Sequence, residues 1–406
     1  MFALSRPLSA VVALPWLAVM ATAMPVVDTG LELTVEASVG RDAEGVTRGS
    51  LHGLGLWSAE WAQPTSDEQR ITFAAYASLL LLEGRGPTER FLGDFLAASN
   101  IEGHSSARLY TWWIEARHLA WSLRGGALLA DEEFAGTEAG GHLLNSAFGW
   151  PAFVSANTVN TGPAFFVAAP GLRLEHTWNQ TASWRVGIYD GDSFDSPDGD
   201  PEKTRHGVHY RLGGNQGWFV ISEITFNPVQ AQTRLALGAW LHTASFADVR
   251  EDAAGQPFSL SGESPRIHSD NHGIYALVEH TLFGAAGEPG HVSAFARAGT
   301  SPADRNALGW ALDAGLAWTG PLPGRNDDVL ALGFARADFS TRYANGLRDA
   351  GETDAPGFEQ ALELTYTAAL SPRFSVQPDI QRIYHPEGRT TRDDAWLFQL
   401  RINASY

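Results

Sequence analysis

No cysteine occurs among the 406 residues, so a disulfide framework, a thiolate metal site and a thiol nucleophile are all excluded. Positive charge is scarce: 28 Lys plus Arg stand against 46 Asp plus Glu, a formal net charge of −18. Holding a nucleic-acid backbone needs clustered positive potential, so the charge balance argues against that class of partner. Lysine is all but missing, since Lys203 is the single lysine in the chain. Arginine supplies the rest, which reads either as GC-rich codon usage or as a use for planar, forked donors. Charge of either sign is thin, at 18% of residues, where ordinary soluble domains carry about 25%. Past residue 23 no run reaches the roughly eighteen apolar residues that a membrane-crossing helix needs. Helical spans are thereby excluded; transmembrane strands are not.

The first residues have the form of a secretory leader. Arg6 supplies positive charge, an apolar stretch follows from about Leu8 to Met20, and Ala21-Thr22-Ala23 gives a small-residue cleavage pattern. The expected boundaries are a leader over 1–23 and one domain over 24–406. That length suits one large β domain or two ordinary ones. Glycine is abundant at 42 residues, and the 14 Trp and 21 Phe make a heavy aromatic load. A glycine-rich, aromatic-rich, charge-poor chain suits a protein whose outside is not entirely water.

From Gly30 onward the dominant period is two, in segments of roughly eight to twelve residues separated by Gly, Asp, Asn and Pro. "GLRLEHTW" sets Leu172, Leu174 and Trp178 against Arg173, Glu175 and Thr177, and "SWRVGIYD" sets Trp184, Val186 and Ile188 against Arg185, Gly187 and Tyr189. "TRLALGAWLHT" places Leu235, Leu237 and Leu241 opposite Arg234, Trp240 and His242; "LGWALDAGLAW" aligns Leu308, Trp310, Leu312, Leu316 and Trp318. The last segment alternates Trp396, Phe398, Leu400, Ile402, Ala404 and Tyr406 with Gln399, Arg401, Asn403 and Ser405. The apolar face is the more continuous one and carries Trp and Tyr near segment ends, where membrane girdles sit. Greasy outside with polar inside is expected of a barrel that satisfies its whole backbone by closure. The expected fold is all-β: a closed antiparallel transmembrane β-barrel of about sixteen strands, with short helical or irregular infolded segments.

Two stretches break the alternation. In 84–106, Phe91, Leu92, Phe95 and Leu96 have helical spacing, which predicts a short helix or plug element. Residues from Glu132 to about Pro170 are too apolar for a free surface loop. They are expected either to fold into the lumen and narrow it, or to pack on themselves outside.

"LGDFLAASNIEG", "LRGGALLADEEFAG" followed by "LLNSAFGWP", "WRVGIYDGD", "RLALGAWLHTASFAD", "GIYALVEH", "VSAFARAG" and "ELTYTAALSPRFSVQPDIQRIYHPEG" follow one another in order. In these blocks the chain resembles the carbohydrate-selective porin family of Gram-negative outer membranes, OprB-type, from roughly Leu92 to the end. The resemblance implies a sixteen-stranded barrel that conducts sugars passively through a constriction of arginines and acidic residues. The chain ends in Tyr406 where such barrels usually end in Phe.

On that basis the substrate path is expected to use Arg124, Arg173 with Glu175, Arg185 near Asp190, Arg234 and Arg297, with Glu363, Asp379 and Gln381 on the last strands. Tyr189, Trp240 and Tyr275 are the candidate stacking surface for sugar faces. The expected partners are carbohydrate solutes, outer-membrane lipid, and the barrel assembly machinery reading the strand that ends in Tyr406. A homotrimer is one expected state and a monomer the other; no cofactor, metal or nucleic acid is expected. His209 and His242 read as residues lining water, and the Asp190–Asp200 run as an inter-strand turn rather than a calcium loop. No nucleophile elbow or phosphate loop is present, so the expectation is not an enzyme. Two alternatives stay open: a general or anion-preferring porin, and a secreted all-β carbohydrate-binding or structural protein.

Overall fold

Eighteen strands account for about half of the chain in the computed structural model, which describes residues 27–42, 45–63, 70–179, 181–196, 198–227 and 232–406. The expected leader lies outside the described residues. In order the strands are β1 (Val27–Arg41), β2 (Thr47–Ala62), β3 (Thr72–Arg85), β4 (Ser106–His118), β5 (Trp121–Leu128), β6 (Ala169–Asn179), β7 (Ala182–Asp190), β8 (Trp218–Phe226) and β9 (Thr233–His242). Then come β10 (Phe246–Asp252), β11 (Pro265–His268), β12 (Asn271–Phe283), β13 (Val292–Thr300), β14 (Leu308–Thr319), β15 (Val329–Phe339), β16 (Phe358–Ser371), β17 (Phe374–Tyr384) and β18 (Ala395–Ser405). β10 and β11 form a separate hairpin, and the other sixteen close into one barrel in which every neighbour is antiparallel.

Closure is made by the two ends of the chain. β18 pairs with β1 from Glu32↔Ser405 to Arg41↔Trp396, and Leu31 and Tyr406 exchange both backbone hydrogen bonds at 3.1 and 2.8 Å. No edge of the barrel is left unpaired, which is what a hydrocarbon surrounding demands. The final strand is two-faced because it is a barrel stave: Trp396, Phe398, Leu400 and Ile402 are exposed on the outside, while Leu397, Gln399 and Arg401 are buried inside.

The two ends of the barrel differ. Leu119-Ala120 and Pro372-Arg373 are tight links at the end that holds both chain termini, whereas 86–105, 129–168, 191–217, 243–270 and 340–357 are long and lie at the other. Short turns face the periplasm and long loops face outward in bacterial barrels of this kind. Trp121, Trp178, Trp318 and Tyr406 ring the short-turn end on the outside, and Trp218, Trp310 and Trp396 the long-loop end. These are the two aromatic girdles.

Both irregular stretches fold into the lumen. In 86–105 the expected helix reduces to one π-type turn, Thr88–Leu92, ended by Gly93 at φ +61°. Leu92 packs on Ile383, Ala395 and Leu397 of the wall, and Phe95 meets Phe339 edge-on with ring centres 4.9 Å apart. The longer segment, 129–168, includes a one-turn helix α1 (Ala152–Ser155) and buries Phe134, Leu143, Leu144, Phe148 and Phe153 inside the barrel. Each such side chain contributes ~1.5–3 kcal/mol relative to exposure in a wet lumen.

The wall makes room for them. On β15 the inward positions are Ala331, Gly333, Ala335 and Ala337, where alternation alone predicted polar groups. A Cβ at Gly333 would lie 2.5 Å from the Phe148 ring, and one at Gly299 would lie 2.4 Å from the Phe153 ring. One expected face is also corrected: the β14–β15 register shifts between Leu308 and Trp310, so Leu308 turns inward and is buried while Trp310 stays outside.

Leu400 sits halfway along β18 and faces lipid. Leu400→Arg should cost about 2–4 kcal/mol, the penalty for a cation near the bilayer midplane. Urea titration of the vesicle-embedded barrel, followed by heat-modifiable gel mobility, checks this; an unchanged midpoint would place this strand away from lipid.

Candidate functional site

A chain that crosses the inside of a barrel without forming a strand leaves its own N–H and C=O groups unpaired, and buried backbone groups need partners. Here the wall supplies them as charged side chains. Glu223 on β8 accepts from Ala135 N at 2.8 Å, and Glu279 on β12 from Ala139 N at 2.8 Å. Glu363 on β16 accepts from Leu144 N at 2.5 Å and Asn145 N at 2.9 Å. Arg297 on β13 donates to Ala147 O at 2.8 Å, Phe148 O at 3.1 Å and Gly149 O at 3.0 Å, and also to Ala135 O. Gln377 holds His142 O at 2.9 Å. The segment is stitched to successive staves right across the barrel.

The shorter infolded stretch is held in the same way. Glu359 accepts from Phe95 N at 2.8 Å and Leu96 N at 2.7 Å, while Gln381 donates to Ala98 O at 2.9 Å. The two stretches also bond to each other, Asn100 N to Leu144 O at 2.7 Å and Ser146 N to Ala97 O at 2.8 Å.

Beside this stitched region lies a network of alternating charge. Arg124 on β5 meets Glu115 at 2.6 Å and Glu133 at 2.8 Å; Arg173 on β6 meets Glu115 at 3.1 Å, Glu133 at 2.9 Å and Glu175 at 3.3 Å. Arg185 on β7 meets Glu175 at 3.2 Å and donates to Glu133 O at 2.8 Å. Arg234 on β9 donates to Gly136 O at 2.7 Å and lies 3.6 Å from Glu223. Glu133 belongs to the infolded segment and the arginines to the wall, so the network spans the gap between them. The Arg124 guanidinium lies 4.0 Å from the centre of the Trp113 ring, whose neighbour Tyr76 stacks at 5.5 Å.

The candidate path residues fall into two groups by exposure. Arg185 and Arg234 keep 32% and 28% of their side-chain surface open, and Glu175 and Arg124 keep 21% and 16%. Arg173, Arg297, Glu363, Asp379, Gln381, Tyr189, Trp240 and Tyr275 are all buried. Tyr189, Trp240 and Tyr275 belong to the apolar cluster around Phe148 and Phe153, with Phe153 stacked on Tyr275 at 5.6 Å, so no face of these rings is open to a solute. The expected pairing of Arg185 with Asp190 is corrected: the carboxylate beside Arg185 is Glu175, and Asp190 accepts from Gly191 N at the end of β7. His242 is buried and lies 2.7 Å from Gly191 O. Asp192 accepts from Phe194 N and Ser196 N at 3.0 Å and from Asn160 Nδ2 at 2.6 Å, which ties that turn to the infolded segment.

At the long-loop mouth, the helix α2 (Thr341–Asp349) docks on the β10–β11 hairpin through Asp248. Asp248 accepts from Arg250 N at 2.9 Å, Glu251 N at 2.8 Å and Arg342 Nη2 at 2.9 Å, with His268 at 3.3 Å. Burial alone would raise its carboxyl, but the bond from Arg342 and those from the two amides and His268 outweigh it and hold the pKa down to about 2.

A closed barrel with lipid on its outside and a lumen narrowed by a clamped segment and a charged wall is an outer-membrane diffusion channel. The chain belongs to the carbohydrate-selective porin family OprB, whose family model matches residues 71–406. It is 21% identical to Porin B of Pseudomonas aeruginosa over 290 residues, 67% of this chain and 59% of that protein. The chain thus covers less than two thirds of that relative's length. Among solved structures it is similar to the OprB of Pseudomonas putida determined at high pH, with a TM-score of 0.80, 19% identity and 94% of each chain covered. It is similar, more distantly, to the anion-selective porin from Comamonas acidovorans, with a TM-score of 0.56 and 10% identity over 94% of this chain and 100% of that one. Family and fold mark a channel rather than an enzyme, located in the outer membrane of a Gram-negative bacterium.

Arg297→Met should leave Asp313, 3.0 Å away, buried without its cation, and release four carbonyls of the infolded segment. Breaking such a pair costs about 3–5 kcal/mol. The expected result is a larger, noisier single-channel conductance; unaltered conductance would mean that the clamp does not hold the segment.

Because Asp248 titrates lower in the fold than its ordinary 3.8, its contribution is complete above that value and lost as pH falls through about 2. Proteolytic nicking of 340–357 should therefore rise between pH 4 and pH 2, and Asp248→Asn should show the low-pH rate already at pH 4. A variant as resistant as the parent at pH 4 contradicts this.

Proposed function

We propose that this porin passes mono- and oligosaccharides by passive diffusion between the arginines of β5 to β9 and the acidic residues of the infolded segment. The observation that carries this is the set of wall arginines Arg124, Arg173 and Arg185 ion-paired with Glu133 of the infolded segment and Glu175 of the wall, a network in which Arg124, Glu175 and Arg185 stay partly open. A sugar edge offers hydroxyls that both donate and accept. Guanidinium and carboxylate groups fixed side by side supply both complements without reorganising. Each is already paired with its neighbour, so a neutral solute exchanges hydrogen bonds without leaving a charge unbalanced.

In this proposal Arg124, Glu175, Arg185 and Arg234 touch the solute. Arg173, Arg297, Glu363, Asp379 and Gln381 position the segment and the network, while Tyr189 and Trp240 support the segment from beneath. Strand β18 with Tyr406 is the segment read by the assembly machinery, and the lipid-facing wall is where a homotrimer would pack. A second reading, an anion-preferring channel, is favoured by the half-open Arg185 and Arg234.

Liposome swelling separates the two. Glucose should enter faster than anions of similar size, and equal or faster entry of anions favours the second reading. Arg185→Ala with Arg234→Ala should weaken sugar block of single-channel current by roughly fivefold, about 1 kcal/mol for the lost charged hydrogen bonds. Unchanged block would take both residues out of the path.

A further inference from the structure

We propose that the outside of the barrel over β14 to β18 and β1 carries a binding surface for the phosphorylated saccharide headgroup of an outer-leaflet glycolipid. Along these strands the mid-depth lipid-facing positions are apolar or aromatic, with Leu316, Leu332, Leu362, Leu364, Phe398 and Leu400 exposed, and Gln360 sits nearer the long-loop end. The charged groups on that face are Arg336, Asp338, Arg382 and Arg41, and all lie toward the long-loop end. A guanidinium facing hydrocarbon is costly at mid-depth and tolerated at the interface, so their place on the staves matches headgroup level.

Two of these arginines are built into the same arrangement twice. The Arg336 guanidinium lies 4.0 Å from the centre of the Phe358 ring and 5.6 Å from that of Trp310, and it pairs with Asp338. The Arg382 guanidinium lies 4.5 Å from Tyr384 and 5.2 Å from Trp396, and it pairs with Asp394 at 2.8 Å. The strand registers join them into one row: Arg336 is opposite Gln360, Gln360 opposite Tyr384, Arg382 opposite Trp396, and Trp396 opposite Arg41.

Each guanidinium is thus held flat by rings and braced by one carboxylate, with donors left over. About a quarter of the Arg336 side chain and a third of the Arg382 side chain stay exposed. Forked, immobilised guanidiniums suit phosphate oxygens. The ring planes beside them suit the C–H faces of a sugar, and the apolar staves below suit acyl chains. A phosphorylated acyl-saccharide has those three parts in that vertical order, whereas a simple phospholipid lacks the sugar.

The test uses the full chain in detergent, with binding read by native mass spectrometry and fluorescence titration. The probes are diphosphorylated lipid A, its phosphate-free form and phosphatidylglycerol. Diphosphorylated lipid A should bind at least tenfold more tightly than either of the others. The pair Arg336→Gln with Arg382→Gln should lower that affinity at least tenfold while leaving glucose permeation and heat-modifiable mobility unchanged, since neither residue faces the lumen. Should the glutamine pair assemble poorly, Arg336→Lys with Arg382→Lys keeps the charge and loses the fork, and should still bind several-fold more weakly. Equal binding of the phosphate-free form, equal binding of phosphatidylglycerol, or parental affinity in the variants each overturns the proposal.

Discussion

What everything else depends on is the clamping of a strandless stretch of backbone inside a barrel. The segment 129–168 can lie across the lumen only because Glu223, Glu279, Glu363 and Arg297 reach out from four different staves to its amides and carbonyls. A buried carboxylate or guanidinium is expensive unless paired, and a buried peptide group is equally so. Each cancels the other's cost. The charged interior of the barrel is therefore not merely a wet lining; much of it is the scaffold that fixes the aperture.

Packing and polarity divide this work by sector. Over β14 and β15 most inward positions are alanine or glycine, and Gly299 of β13 and Gly333 of β15 receive Phe153 and Phe148 in close contact. Over β4 to β7 the wall is arginine and glutamate and stands off from the segment through ion pairs. The segment is pressed against one side and held by charge on the other. The side chains left partly open on the charged side are Arg124, Glu175, Arg185 and Arg234.

Much of this was legible in the chain. Period-two alternation exposes the staves, and the apolar face of the final strand, Trp396 to Ile402, reads correctly as lipid-facing. Leu308 misreads because a bulge changes which face follows, and a bulge has no signature in alternation. The inner face of β15 carries alanine and glycine, and β13 turns Gly299 inward; these look featureless in sequence and acquire meaning only beside the rings they accommodate. Glu115 lies in "TWWIEARH" and was reachable by the same rule that finds Arg173, since Trp113, Glu115 and Arg117 share a face. Glu133 was not reachable, because the stretch that contains it has no period. Tyr189, Trp240 and Tyr275 were placed on the correct face, but sequence does not say that a segment distant in the chain covers them.

Hydrogen exchange of the vesicle-embedded protein tests the clamp most directly. The amides of Ala135, Ala139, Leu144 and Asn145 belong to no strand, yet each donates to a wall carboxylate. They should exchange as slowly as the amides of the staves around them. If peptides covering 134–149 exchange within seconds, as open loops do, the carboxylates do not hold the segment and the account of the aperture fails.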